Sequence, residues 1–389
     1  MYRGLLVLAG AFIILVCLGG VYAWSAYVPP LRAAYGYSSA QTQLVFGTTI
    51  AVFTLMMTWA GRLLPRWGPR RNALLSALLF LAGYALAAWS HGSFLLLWLS
   101  IGVVSGAGIG CGYVAALATP LHWFPNYKGL VTGCAAAGFG GGAVFTTWCI
   151  DHLLSLQFSV AHVFEIIGAG SAVLVFACAL VLHMPVRPTH APPPASLAPG
   201  TLLRQRLFWA LATGMWCGTF AGLLVIGNLK SIGLEAGLST AQASLAITLF
   251  ALGNAAGRIT WGRLYDRYGY RIIPVSLAFL CANLVLLSLL HTVGIVFALV
   301  TFLIGFGFGA CFVVYAAHVA ARYGTAQFSA VYPLVFLAYG IAGISGPLVG
   351  GWLHDWLGNY WWAIIIAAVI VAAGTAVCYS EPPLPEGSH

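Results

Sequence analysis

Twelve apolar runs, each long enough to cross a bilayer as a helix, follow one another with little polar sequence between them. They lie at about residues 4–28, 41–64, 72–91, 94–118, 128–150 and 161–184, and then at about 207–230, 240–264, 272–291, 293–319, 327–353 and 359–380. In lipid every backbone N–H and C=O needs a partner inside the protein, and a helix supplies those partners within one segment. With 6% charged and 61% hydrophobic residues, the chain also has too little polar surface to fold around a core in water. The expected fold class is an all-α polytopic membrane protein of 12 transmembrane helices in two six-helix bundles.

Charge sets the topology. The net charge of +9 does not gather in a patch with interleaved aromatics, as nucleic-acid binding would require, but falls in the loops between runs. With a cytoplasmic N-terminus, Arg3, Arg62, Arg66, Arg70, Arg71, Lys128, Arg187, Arg204, Arg206, Arg263, Arg267, Arg271 and Arg322 all lie on the cytoplasmic side, and Arg32 and Lys230 outside. That asymmetry is the positive-inside pattern; it predicts a bacterial inner-membrane protein with both termini cytoplasmic. The first run is read as a span rather than a cleaved signal, because it is long and lacks a small-residue cleavage site. The nine cysteines lie mostly within apolar runs with no metal or redox spacing and read as small buried hydrophobes.

The proline-rich, basic stretch PVRPTHAPPPASLAPGTLLRQR separates the two sets of six runs and reads as an extended cytoplasmic linker without a core. The expected organisation is residues 1–184 as one bundle, 185–206 as linker, 207–381 as the second bundle and 382–389 as tail. The halves repeat. GRLLPRWGPR (Gly61–Arg70) aligns without gaps on GRLYDRYGYR (Gly262–Arg271) at an offset of 201, and each copy closes the second run of its half. A parallel six-span repeat is the pattern of a carrier that rocks one bundle against the other around a midplane site.

Twelve spans, a central loop and the G-R-L-x-D-R-x-G-x-R segment resemble the major facilitator superfamily over essentially the whole chain. The resemblance implies a cytoplasmic gate built from these segments, here Arg62, Arg66, Arg263, Asp266 and Arg267. Pro65 stands where the first copy usually has its acidic residue, so the latch is expected to depend on Asp266.

Finer motifs narrow this. Tyr22-Ala-Trp24-Ser25, Trp123-Phe124-Pro125 with Lys128-Gly129, Gly138-Phe-Gly140, and Asn254-x-x-Gly257-Arg258 with Gly262 resemble the oxalate/formate antiporter and monocarboxylate transporter group. That resemblance implies that the span-eight arginine, Arg258, binds the substrate carboxylate.

The residues support this independently. Arg258 lies in the uncharged stretch AQASLAITLFALGNAAGRITW, with no acidic residue within about two helical turns. A charge at membrane depth is costly, so an unpaired one points to a site whose partner comes and goes. The alternative is snorkelling toward the nearby helix end. Guanidinium offers parallel donors in a planar fork that matches a carboxylate. Asn254, one turn away on the same face, can orient that fork or bind substrate, and Gly253 and Gly257 are expected to bring a neighbouring helix close. Asn228, beside the outer end of span seven, is a weaker site candidate, because asparagine is common at helix ends.

Tyr22, Tyr113 and Tyr315 lie away from most span ends, and the resemblance implies that aromatics from these spans line the cavity. A phenol supplies an apolar wall and one hydrogen bond; packing is the competing role for each. Trp24 is expected to be structural. His318, one turn from Tyr315, is the candidate for proton coupling, against the plainer role of a satisfied interfacial histidine. Asp151 and Asp355 read as helix-end or outer-gate residues. GAGIGCG (Gly106–Gly112) imitates a nucleotide loop but follows no strand, so its glycines read as helix-packing surface.

One fixed cation matches one negative charge. The oxalate carriers of the group have a span-eleven lysine that this chain lacks, and the proton-coupled monocarboxylate carriers have an aspartate where Asn254 stands and a span-one lysine absent here. The expected function is secondary active transport of a small monocarboxylate such as lactate or pyruvate, coupled to a proton. Organic-anion exchange is the alternative, and an anion channel the alternative from another class. No cofactor, metal, nucleic acid or enzymatic activity is expected; the partners are the anion, a proton and the lipid bilayer, with the chain acting as a monomer.

Overall fold

The computed structural model describes residues 2–124, 128–184, 199–289 and 294–380. Among them there is no strand, and every expected run falls within helix, the second and third runs being continuous across a kink at Gly68. The first half comprises α1 (Tyr2–Tyr35), α2 (Ser39–Leu64), α3 (Arg66–Ala88), α4 (Phe94–Pro120), α5 (Lys128–Ser155) and α6 (Val160–Val181). The second comprises α7 (Arg206–Glu235), α8 (Thr240–Tyr268), α9 (Ile272–Leu289), α10 (Ile295–Tyr323), α11 (Leu334–Leu357) and α12 (Trp361–Tyr379). Pro125, the Lys128 side chain, linker residues 185–198 and the tail 382–389 lie outside the described residues.

The repeat is visible in the backbone. Gly68 and Gly269, matched at the 201 offset, both have positive φ (+76° and +60°), a conformation that glycine adopts without a Cβ clash. There the chain reverses from the second helix of each half into the third. A second matched device starts those helices: Ser38 with Gln41, and Ser239 with Gln242, form reciprocal capping boxes on α2 and α8. Each box satisfies two donors that a helix start leaves open. Equivalent sequence therefore makes equivalent turns in both halves.

Glycine decides how closely the helices approach. A Cβ on Gly253 or Gly257 of α8 would lie 2.0 or 2.2 Å from the Phe302 or Phe306 carbonyl oxygen of α10, so the backbones touch as the spacing predicts. The glycines of GAGIGCG face α2 and α3, with Gly106 against the Thr49 carbonyl and Gly110 against that of Phe53. Gly19 and Gly142 join α1 to α5 in the same way. Between bundles, Gly47 of α2 meets Gly343 of α11, and Gly140 of α5 faces Asn254 and Arg258 of α8. The repeat relates these last two crossings to each other.

Two expectations need correction. The linker does not stay wholly extended: Pro199–Leu202 forms a helical turn, Leu202 is buried, and Tyr323 Oη donates to Gln205 Oε1 at 2.6 Å. An apolar side chain and a hydrogen bond anchor this end to the second bundle. Among the eight described cysteines, Cys17, Cys149, Cys178 and Cys281 are partly exposed and only the other four buried, because an apolar side chain in a spanning helix can face lipid as readily as protein.

Candidate functional site

Arg258 is 2% exposed and does not snorkel. Its Nε donates to Asn254 Oδ1 at 3.1 Å, the i, i+4 contact expected on one helix face. Nη1 donates to the Ala136 carbonyl of α5 at 3.1 Å, so the arginine reaches from the second bundle into the first. The guanidinium carbon lies 4.3 Å from the centroid of the Phe312 ring of α10, a cation–π contact. Nη2 has no partner, and neither does Asn254 Nδ2. Among the described residues no carboxylate pairs with the cation. Two buried donors on adjacent turns thus remain available beside one positive charge.

Aromatic rings from both halves enclose this point. Tyr22 lies in a short 3₁₀ segment, Gly20–Ala23, that interrupts α1, and its Oη is 2.9 Å from Tyr339 Oη of α11. Its ring packs edge-on against Phe139 of α5 and Phe308 of α10. Tyr113 packs against Phe53 and Phe139. Both Tyr22 and Tyr113 are close enough to interact with the Arg258 charge. Phe312 in turn contacts Tyr339 at 5.2 Å. The result is a water-poor shell in which a hydrogen bond to an ion is stronger than in solvent.

The structure brings Arg258, Asn254, Tyr22 and Tyr113 together and sets three other candidates apart. Tyr315 points into the second bundle: a Cβ on Gly214 of α7 would lie 2.7 Å from its hydroxyl, and its neighbours include Cys217, Cys311 and Cys378. His318 Nδ1 is 2.9 Å from Tyr265 Oη, and its ring packs on Tyr270. It is buried in the second bundle rather than placed at an interface. Asn228 is not at a helix end: it is fully buried within α7, where Nδ2 donates to the Leu224 carbonyl at 2.9 Å. Trp24 is structural, donating from Nε1 to the Thr42 carbonyl.

Phe53, Phe139, Phe308, Phe312 and Tyr339 were not singled out from sequence as wall residues, and phenylalanine carries no polar signal to separate lining from packing. The Ala136 carbonyl has no side-chain signature. Of these, only Phe139 falls within a motif, Gly138-Phe-Gly140.

The two faces of the molecule differ. On the arginine-rich face Arg62, Arg66, Arg263, Asp266 and Arg267 are exposed, and among the described residues no ion pair joins the two repeat segments. On the arginine-poor face, hydrogen bonds and the Lys230–Asp151 ion pair join the two bundles.

Two repeated six-helix bundles with a buried cation where they meet define a membrane carrier. Sequence comparison agrees: a profile of the Major Facilitator Superfamily matches residues 9–232 and again 223–389, and the chain belongs to that family of transporters. It is 28% identical over 345 residues to the uncharacterized MFS-type transporter YhjX of Escherichia coli, covering 87% of this chain and 85% of that one. It is 26% identical over 370 residues to the oxalate:formate antiporter of Oxalobacter formigenes, covering 92% and 86%. It is 23% identical over 390 residues to monocarboxylate transporter 13 of Bos taurus, covering 97% and 89%.

Proposed function

We propose that this transporter carries a small monocarboxylate, of the size of lactate or pyruvate, by alternating access, with Arg258 holding the carboxylate. The observation that carries this reading is the pair of unpartnered buried donors, Arg258 Nη2 and Asn254 Nδ2, on adjacent turns at the bundle interface. A single monoanion neutralises the cation and accepts from both donors, whereas a dianion leaves a buried negative charge unmatched. The aromatic shell suits the short apolar remainder of such an acid. Similarity to transporters named for oxalate, formate and monocarboxylates supports the same substrate class. In this reading the arginine-rich face is cytoplasmic, the membrane is a bacterial inner membrane, and the chain works as a monomer.

Proton coupling is the first reading, with the proton carried by His318 or by the substrate. Anion exchange is the second, favoured by a specific observation: among the described residues, the side chains that meet Arg258, those of Asn254, Phe312, Tyr22 and Tyr113, include no carboxylate or imidazole. An emptied site leaves the cation uncompensated and discourages return of the unloaded carrier. Initial-rate uptake of radiolabelled lactate into proteoliposomes, with and without an inward proton gradient and with and without internal lactate, separates the two. Arg258→Lys keeps the charge but loses the planar fork and the Ala136 and Asn254 contacts. It is expected to lower Vmax/KM about 10- to 100-fold, one charge-assisted hydrogen bond or more; undiminished uptake overturns the assignment.

A further inference from the structure

A polar cavity, separate from the Arg258 site, opens on the arginine-poor face. Its volume is about 560 Å³, and Arg32, Tyr37, Ser231, Glu235 and His354 are among the residues that line it. That is the size of a small-molecule pocket. Arg32 lies at the end of α1 and Tyr37 just before α2, Ser231 and Glu235 close α7, and His354 belongs to α11. None of these side chains is among those that meet Arg258.

Two opposite charges line this space without pairing. Among the described residues no ion pair or hydrogen bond engages the Arg32 guanidinium, although Arg32 and Glu235 are both within electrostatic reach of the Tyr360 hydroxyl. A cation in the last turn of α1 is favourable beside the helix carbonyls, which explains its place on the helix but not the carboxylate that shares its cavity. Glu235 accepts the Tyr360 N–H on both oxygens at 3.3 Å. One donor leaves most of a carboxylate's accepting positions open. His354 Nδ1 is 3.1 Å from Ser39 Oγ, so Nε2 remains for a ligand. Tyr37 is 6% exposed and its Oη has no partner, a buried donor in the cavity wall.

A monoanion held by Arg32 would stand beside the Glu235 charge, and a monocation held by Glu235 would stand beside Arg32; either leaves one charge opposed. A molecule carrying both signs matches both walls. We propose that this cavity binds a small zwitterion, one anionic and one ammonium group a few bonds apart, with the anion on Arg32 and Tyr37 Oη and the ammonium on Glu235. His354 Nε2 adds a hydrogen bond. A free amino acid and the headgroup of phosphatidylethanolamine both carry this pair of charges. The inference concerns a second site and does not depend on what Arg258 carries.

Saturation-transfer difference NMR on the full-length protein in phosphatidylglycerol nanodiscs, with empty nanodiscs as the blank, tests it. Alanine and 4-aminobutyrate, which differ in the separation of their charges, are the ligands titrated. At least one is expected to give a saturable signal whose Kd rises about tenfold or more in Arg32→Gln and in Glu235→Gln, each of which removes one charge. Glu235→Gln keeps an acceptor for the Tyr360 N–H, and Arg258→Lys should leave the Kd unchanged. Tyr37→Phe removes only an unpartnered hydroxyl and should weaken binding several-fold, which keeps the test decisive if a charge variant is unstable. The headgroup is the ligand if neither amino acid binds and phosphatidylethanolamine added to the nanodiscs raises the thermal midpoint of the wild type but not of Arg32→Gln or Glu235→Gln. Absence of both effects, or binding that Arg258→Lys abolishes and Arg32→Gln leaves intact, overturns the proposal.

Discussion

Replacing Asn254 by aspartate exchanges one NH₂ group for an oxygen at the centre of the site. Arg258 Nε already bonds Asn254 Oδ1 at 3.1 Å, so the new carboxylate meets the guanidinium without rebuilding. Unit charges about 4 Å apart attract by about 4 kcal/mol at an effective dielectric of about 20. A transported anion must now compete with that internal partner. If Arg258 is the anchor, Vmax/KM at neutral pH falls roughly a hundred- to a thousandfold, since each 1.4 kcal/mol is about a factor of ten. Protonating the introduced carboxylate removes the competitor, so uptake returns as pH falls. Initial rates of radiolabelled lactate uptake into proteoliposomes at neutral and acidic pH give both numbers. Because the swap is isosteric, a wild-type thermal midpoint certifies the fold. Unchanged neutral uptake in such a folded variant refutes the competition between an internal carboxylate and the transported anion.

Gly309→Ala should disturb the site from behind, because its Cβ would lie 2.5 Å from the Asn254 backbone carbonyl oxygen, 3.1 Å from the Arg258 backbone nitrogen and 3.2 Å from Asn254 Oδ1. Such overpacking costs about 1–3 kcal/mol, and Vmax/KM should fall, whereas Gly141→Ala, with nothing within 4 Å, should transport normally. Tyr22→Phe leaves the buried Tyr339 hydroxyl without its 2.9 Å partner across the bundles. The expected loss is about 1–3 kcal/mol, read as a lower thermal midpoint; an unchanged midpoint would mean that the pair contributes nothing.

The anchor was legible because its signals are local. Arg258 announces itself by the absence of any acid nearby, and Asn254 by its place one turn away, which a helix converts into contact whatever surrounds it. Gly253 and Gly257 were readable for the same reason. The tyrosines were not. Tyr22, Tyr113 and Tyr315 carry the same side chain at similar depth, yet two reach the Arg258 shell and one points at Gly214 and the α12 side of its own bundle. Periodicity states that a residue shares a face with its neighbours on the helix, but not what that face meets.

By itself the sequence determined the number of spans, the two-fold repeat, the asymmetry of charge between the faces and the isolated cation in the eighth span. Each follows from rules that act over one helix or one loop: the length needed to cross lipid, the cost of a buried charge, and the need for glycine where φ is positive at Gly68 and Gly269. Only the tertiary structure decided that Arg258 bonds the Ala136 carbonyl, that Tyr22 meets Tyr339 from 317 residues away, and that Asp355 caps the start of α2. Those contacts join opposite bundles. They depend on the relative placement of twelve helices, in which glycine-lined crossings set backbone distances to a few ångströms, and no periodicity within a single helix encodes that placement.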